Sequence, residues 1–389
     1  VAGERDVTIE RALEIARGLA PDTGVEEVPV PEAAGRLLAT DVLARRDLPP
    51  ADVSAMDGWA VRAADTPGPL RAAGESAAGT PWAGPLRPGE AIAISTGAAM
   101  PPGADAVARR EVVDAGDGSV RVREPVAPAR DVRRRGELVR EGGLLLATGH
   151  RVAPHEVGAI GAAGHAVVPC LRRPRVAVLA TGAELVPLGA AARPAEVHDS
   201  SRHGIAAQLA AAGGEPVAGA RVRDDLDATV RALEELLAAG PDVLVTCGGI
   251  SAGAHDHVRA ALGRLGFEEE MRGVRATPIR PTWLGRRDGV VALGLSGNPA
   301  SAAVAAHLLG RPLLRAPEDW WRRSPLLGVV PGRGDRPQLI RCAERPGGLE
   351  PMAHQGAHAI TSLTGATALA WVPSGGAGTG DEVAFSRMA

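Results

Sequence analysis

Between about residues 171 and 315, short apolar runs alternate with stretches of helical spacing, and this alternation restricts the possible folds more than any other feature. Val176 to Ala180, Val217 to Val222 and Val243 to Thr246 are apolar. Ser201 to Ala212 and Leu226 to Ala239 carry helical spacing between them. Alternating β and α segments predict a mostly parallel sheet covered on both faces, a doubly wound three-layer α/β/α domain. Ligands of such domains bind beyond the carboxyl ends of the strands. The expected site is therefore built from the loops after Ala180, Thr246 and Leu295.

A chain of 389 residues is too long for one ordinary core. Apolar residues Ile9, Leu13, Ala16 and Leu19 fall at helical spacing after a capping Thr8, which predicts a first helix over Thr8 to Ala20. From Asp47 to about Val122 the pattern turns to short β-type runs punctuated by glycine and proline. Glycine-bounded elements and a helix near Pro154 to Ala163 follow. After Pro317, Leu339 to Cys342, Ala368 to Val372 and Glu382 to Phe385 read as strands. The expected organisation is an α/β multidomain protein. Residues 1–47 with 122–170 form a discontinuous N-terminal α+β domain, 48–121 an inserted β-rich domain, 171–315 the doubly wound domain, and 316–389 a C-terminal β-barrel.

The formal net charge of −3 argues against a nucleic-acid partner, which demands a strongly basic face. No apolar run is long enough for a membrane span, and the charged opening lacks the apolar core of a secretion signal. A cytoplasmic protein with no membrane partner is expected. Cys170, Cys247 and Cys342 are too dispersed for a zinc knuckle or a disulfide framework, and read as small buried side chains. Every one of the 43 basic residues is arginine. The clusters Arg133-Arg134-Arg135 and Arg172-Arg173 read first as salt-bridged faces, with an anion rim as the alternative.

Three motifs point to chemistry. Ser54-Ala55-Met56-Asp57-Gly58-Trp59-Ala60-Val61-Arg62 holds an acid in a turn of small residues beside an aromatic and a cation. Gly248-Gly249-Ile250-Ser251-Ala252-Gly253 follows a buried strand, and its glycines let backbone N–H groups approach a phosphate or similar anion. The plain alternative is an unliganded strand-to-helix turn. Asp256 adds a carboxylate suited to positioning Mg²⁺ beside a phosphate. Gly297-Asn298-Pro299-Ala300-Ser301 starts a helix whose free N–H groups are expected to face the same loop, with Ser301 adding a hydroxyl. Asn298 alone reads equally as a cap. Glu184, Asp224 and Asp225 end strands of the same domain, and carboxylates converging beside anion-binding loops imply a divalent cation. No nucleophile elbow, Walker loop or Rossmann glycine fingerprint is present.

In order along the chain, SAMDGWAVR at 54–62, STGAAMPPGADAV at 95–107, RRRGE at 133–137, TGAEL at 181–185, GGISAGAHD at 248–256 and SGNPAS at 296–301 resemble the molybdopterin molybdenumtransferase family, represented by bacterial MoeA and the E domain of gephyrin. The resemblance spans essentially the whole chain. It implies a four-domain elongated homodimer whose doubly wound domain is MogA-like, with the cleft between that domain of one subunit and the inserted domain of the other. It further implies insertion of molybdate into adenylylated molybdopterin with Mg²⁺-dependent release of AMP, and molybdopterin adenylyltransferase or molybdoenzyme chaperones as partners. By motif match, Asp57, Glu184 and Asp256 are catalytic, and these three with Asp224 hold the metal. Thr96, Gly248, Gly249, Ser251, Gly297, Asn298 and Arg280 bind substrate. Pro281, Ser301, Arg341 and Ser362 lie near molybdate.

The departures fall on charges. Thr277-Pro278-Ile279-Arg280-Pro281 stands where the family usually has Lys-Pro-Gly-Lys-Pro, so one cation is lost and a β-branched residue replaces a glycine. Gly273 replaces a common lysine, with Arg272 and Arg275 close by, and Leu138 and Ala183 replace aspartates. These changes motivate the alternative of a diverged, non-inserting paralogue that binds pterin or nucleotide, serves as a scaffold, or acts on another phosphorylated substrate or oxyanion.

Overall fold

The computed structural model describes residues 3–250, 257–320 and 322–388, so Ser251 and Asp256 lie outside the described residues. The chain divides into two compact units, Val1–Gly24 with Arg172–Ala389, and Val25–Leu171.

The alternation of apolar runs becomes a seven-stranded sheet in the first unit. Its order is Glu4–Val7, Glu268–Val274, Thr282–Arg287, Val290–Leu295, Val243–Cys247, Arg175–Thr181 and Glu215–Val222. The last four strands run parallel. Because side chains alternate across a strand, neighbouring residues feed different cores. Val176, Val178, Val245 and Leu293 pack with Leu13, Ile205, Leu209 and Leu308. Ala177, Leu179, Leu244 and Ala292 pack with Leu233, Leu236 and Leu262 on the other face. Each buried leucine contributes about 1.5–3 kcal/mol, and the two layers fix the strand ends that carry the site.

Two strands of this sheet, Glu268–Val274 and Thr282–Arg287, had no clear apolar signature. Their alternation is masked by Glu268-Glu269-Glu270 and by Arg286-Arg287. Thr282–Arg287 runs antiparallel to both of its neighbours, and Met271 and Leu284 point into the core.

The first helix requires a correction. It forms as expected, over Ile9–Gly18, with the Thr8 hydroxyl accepting from the Arg11 N–H at 3.3 Å. It does not join residues 122–170, however. Glu4–Val7 adds in parallel to Glu268–Val274 at the sheet edge, and the apolar stripe Ile9, Leu13 and Ala16 buries beside Leu309 and Leu313. Burial of that stripe assigns residues through Gly24 to the unit of the doubly wound sheet.

The same unit ends in a five-stranded antiparallel sheet ordered Arg322–Pro325, Glu382–Arg387, Ala368–Val372, Gln338–Arg345 and Gly348–Pro351. Its outer strands meet at the bridge Leu326–Leu349, which curls it into a small barrel around Ile340, Cys342, Val372 and Phe385.

In unit Val25–Leu171, a six-stranded sheet runs between Gly58 and Val122. Three two-stranded ladders and the helix Glu156–Ala162 make up the rest. Val28, Leu38 and Val42 share a core with Val152, Ile160 and Val168, so the two ends of this stretch pack together. Cys170, Cys247 and Cys342 are free and buried. Among the described residues no helix is long and apolar enough to cross a membrane.

Candidate active site

Three strand-end loops of the doubly wound sheet converge on a cradle of glycines. Gly248 has φ +94 and Gly249 φ +67, conformations that favour glycine. A Cβ on Gly248 would lie 2.7 Å from Thr181 Oγ1 and 2.8 Å from the Thr181 carbonyl. One on Gly297 would lie 3.5 Å from Gly248 Cα. The structure thus brings Gly248, Gly249, Gly297 and the Thr181 turn together. The Thr181 and Thr246 hydroxyls are buried here without a hydrogen-bond partner among the described residues. Buried polar atoms of this kind normally find one, and a ligand with oxygen or hydroxyl groups would supply it.

Glu184 and Asp224 sit at this turn. The Glu184 carboxylate folds back over Gly182, and Asp224 Oδ2 accepts from the Ala183 N–H at 3.0 Å. Asp225 instead caps the helix Leu226–Ala238, accepting from the Ala228 N–H at 2.7 Å. Among the described residues no group of three or more His, Cys, Asp or Glu forms a metal cage. Two carboxylates with oxygens that lack a hydrogen-bond partner among the described residues nevertheless fit Mg²⁺, which is commonly held by one or two carboxylates and completed by substrate phosphate oxygens.

The helix after Gly297 differs from expectation. Pro299 opens it and Asn298 occupies the cap position, yet the Asn298 side chain makes no capping bond. The N–H groups of Ala300 and Ser301 both donate to the Ala357 carbonyl, at 3.0 and 3.1 Å. The Ser301 hydroxyl donates to the Pro278 carbonyl at 2.7 Å. These donors are therefore occupied by protein. The loop that occupies them leads to Arg341, whose Nη2 donates to the carbonyls of His354 and Gly356 at 3.1 and 3.2 Å. The Ser362 hydroxyl donates to Ala359 in the same loop. Ser301, Arg341 and Ser362 thus meet around residues 354–362.

Arg341 is the largest fully buried side chain, and it has no carboxylate partner among the described residues. Its Nε and Nη1 make no hydrogen bond among the described residues, and burial pushes its pKa down. An unpaired buried cation is costly. An anion bound against Nε and Nη1 would offset that cost.

Arg280 and Pro281 line a cavity of about 460 Å³ together with Arg5, Asp6, Arg259, Arg272 and Gly273. The motif departures nearby prove to be packing features. Ile279 is fully buried in the main core, so its side chain points away from this cavity. Thr277 bridges to Gln338, where its N–H donates to the Pro337 carbonyl. Arg5, Asp6 and Arg259 were missed in the sequence, because the register that places Arg5 opposite Arg272 depends on a strand with little apolar signal.

Asp57 and Thr96 meet in the other unit. The Asp57 carboxylate accepts from the Thr96 N–H at 2.7 Å and from its hydroxyl at 2.9 Å. These bonds, backbone first, and then the Arg110 charge hold its pKa below the usual carboxylate range. A cavity of about 560 Å³ opens beside it, lined by Trp59, Glu75 and Arg110. A Cβ on Gly58 would collide with the Ala108 carbonyl, so the glycine after the acid lets the strands close. The arginine run nearby is structural: Arg134 pairs with Asp52 at 2.5 Å and Arg135 with Asp47. Leu138, at the aspartate-to-leucine change, is 73% exposed.

Residues 7–164 match the family model for the MoeA N-terminal region (domain I and II), and residues 177–316 the one for a probable molybdopterin binding domain. The chain is 38% identical over 300 residues to "Molybdopterin molybdenumtransferase 2" of Mycobacterium tuberculosis, with 74% of each covered. It is 33% identical over 370 residues to "Molybdopterin molybdenumtransferase" of Synechococcus elongatus, covering 90% of this chain and 91% of that one. The molybdopterin biosynthesis MoeA protein of Pyrococcus horikosii shares the fold with a TM-score of 0.83 at 30% identity, over 98% of this chain and 99% of that one.

Proposed function

Because this chain belongs to the molybdopterin molybdenumtransferase family, it inserts molybdenum into molybdopterin during cofactor biosynthesis, and we infer that its substrates meet where the Gly248 cradle adjoins the helix Pro299–Ala305. Gly248, Gly249 and Gly297 let the backbone approach the phosphates of adenylylated molybdopterin, and the Thr181 and Thr246 hydroxyls bond its oxygens. Glu184 and Asp224 are the residues that would hold Mg²⁺, which would supply positive charge to offset that of the departing AMP. Asp256 and Ser251 belong to this reading by motif alone, as they lie outside the described residues.

Molybdate is taken beside Arg341. The observation that carries this assignment is the buried guanidinium whose Nε and Nη1 have no partner among the described residues. A dianion must have its charge offset before dithiolene sulfurs can approach it, and a desolvated guanidinium is strong at this task because little water screens it. The Ser362 and Ser301 hydroxyls tie down the loop at Ala359 and the turn at Pro278 rather than supplying free protons. Pro281 and Arg280 line the cavity of about 460 Å³ described above. Asp57, kept ionised by the bonds from Thr96, is assigned to substrate by motif alone, and the protein is proposed to act as a homodimer in the cytoplasm.

The named relatives do not favour the non-inserting alternative. The buried position of Ile279 also removes one of its motives. The test is single-turnover conversion of adenylylated molybdopterin with molybdate, with and without Mg²⁺. Both AMP and molybdenum cofactor should form only with the cation present, and equal yields after its removal would refute the Mg²⁺ role.

A further inference from the structure

The cavity at Arg280 holds more positive charge than its motif requires, and three of its four arginines, Arg5, Arg259 and Arg272, come from elements outside the motif. Glu4–Val7 lies parallel to Glu268–Val274 with Arg5 directly opposite Arg272. Like charges facing one another across a strand pair are unfavourable, unless something negative lies between them. Arg272 has Glu269 at 3.6 Å and Arg280 has Asp6 at 3.5 Å, both longer than a direct hydrogen bond. Among the described residues Arg5 has no ion pair, and the buried Nε of Arg259 has no hydrogen-bond partner.

Asp6 offsets part of the positive charge of the pocket through Arg280. Asp6 has φ 46 and faces Gly273, which has φ +85. A Cβ on Gly273 would lie 2.9 Å from Asp6 Oδ1. The absence of a side chain at 273 is therefore what admits the Asp6 carboxylate to the wall of the cavity, near Arg280. The replacement of a family lysine by Gly273 and the presence of Asp6 are two parts of one arrangement.

We propose that Arg5 and Arg259 complete, with Arg272 and Arg280, a binding pocket for a doubly charged tetrahedral oxyanion, and that Asp6 occupies the cations until the anion displaces it. The N-terminal strand thus restores the positive charge lost at Thr277 and Gly273. The occupant is free molybdate on its way to Arg341, or the terminal phosphate of the pterin substrate. Both present the same charge and shape. This inference rests on the reading of the adjoining site given above.

Titration calorimetry on the full chain tests it, with molybdate and inorganic phosphate as separate probes at low ionic strength. Arg5→Ala and Arg259→Ala should each weaken the bound anion by about tenfold. Asp6→Asn should tighten it by roughly threefold or more, a gain that misfolding cannot mimic. A response to molybdate alone identifies the free oxyanion as occupant, and a response to phosphate alone identifies the substrate phosphate. Unchanged affinities for both anions in Arg5→Ala and Asp6→Asn would overturn the proposal, as would no measurable binding of either anion to wild type and Asp6→Asn. Arg341→Met separates the two readings. Loss of molybdate there with no effect of Arg5→Ala leaves the function standing and removes this pocket from it.

Discussion

Two sets of arginines, one in each unit, do opposite work. In Val25–Leu171, Arg109 pairs with Asp131 at 2.7 Å, Arg134 with Asp52 at 2.5 Å and Arg135 with Asp47. In the unit of the doubly wound sheet, where other arginines are also paired, Arg341 is buried with no carboxylate partner among the described residues, and four more arginines line one cavity with only loose ion pairs among those residues. The difference teaches that arginines adjacent in sequence mark a neutralised surface here. The arginines poised for an anion are dispersed over residues 5, 259, 272, 280 and 341, and only the fold gathers them.

The largest effect that sharpens this contrast belongs to the cradle. Gly248→Ala places a Cβ against Thr181 in a strained conformation, which should cost about 1–3 kcal/mol of stability and lower kcat/KM by roughly a hundredfold or more. Chemical denaturation and steady-state assays would measure the two effects, and full activity would show that close backbone approach is not needed.

Acid should loosen the unit with the unpaired cations. Ser386 donates its hydroxyl proton to Asp319 at 2.5 Å, so the His307 Nε2–H donates to the Ser386 oxygen at 2.9 Å. Burial, then the nearby Arg311 charge, pushes its pKa down to about 4 against the opposing influence of Asp319. The unfolded histidine takes a proton near pH 6.5 whereas the folded one resists until about 4. Stability is therefore complete above about 6.5 and is lost as pH falls towards 4, by at most roughly 3 kcal/mol. Denaturant midpoints at pH 7 and 5 should differ in wild type, and His307→Leu should remove that part of the difference.

Arg341→Met removes an unpaired buried charge and should leave stability unchanged or raise it by about 1–4 kcal/mol. The smallest effect lies across the comparison. Arg134→Ala breaks an exposed pair, with side chains 55% and 36% accessible, and should cost under about 1 kcal/mol with activity retained. A large loss of turnover in Arg134→Ala would dissolve the distinction between the two sets of arginines.

Much of this architecture was legible from periodicity. Val176 to Ala180 and Val243 to Thr246 became central strands because their burial on both faces leaves an uninterrupted apolar run. Glu4–Val7 was illegible because three of its four residues are exposed, and its place is set by pairing with a distant edge strand. That miss moved the first helix to the wrong domain and hid Arg5 and Asp6. At the site, the glycine motif announced Gly248 and Gly249 directly. The capping of the helix at Pro299 by the Ala357 carbonyl carries no local signal, so a helix start that reads as an anion donor in sequence is already satisfied in the fold.

The central claim is that a buried, carboxylate-free arginine captures molybdate. Its most direct measurement is single-turnover molybdenum cofactor formation by wild type and by Arg341→Met, with circular dichroism confirming that both are folded. Wild type should convert adenylylated molybdopterin to product, while folded Arg341→Met should bind the pterin yet form product at least a hundredfold more slowly. Equal rates in the two proteins would contradict the account.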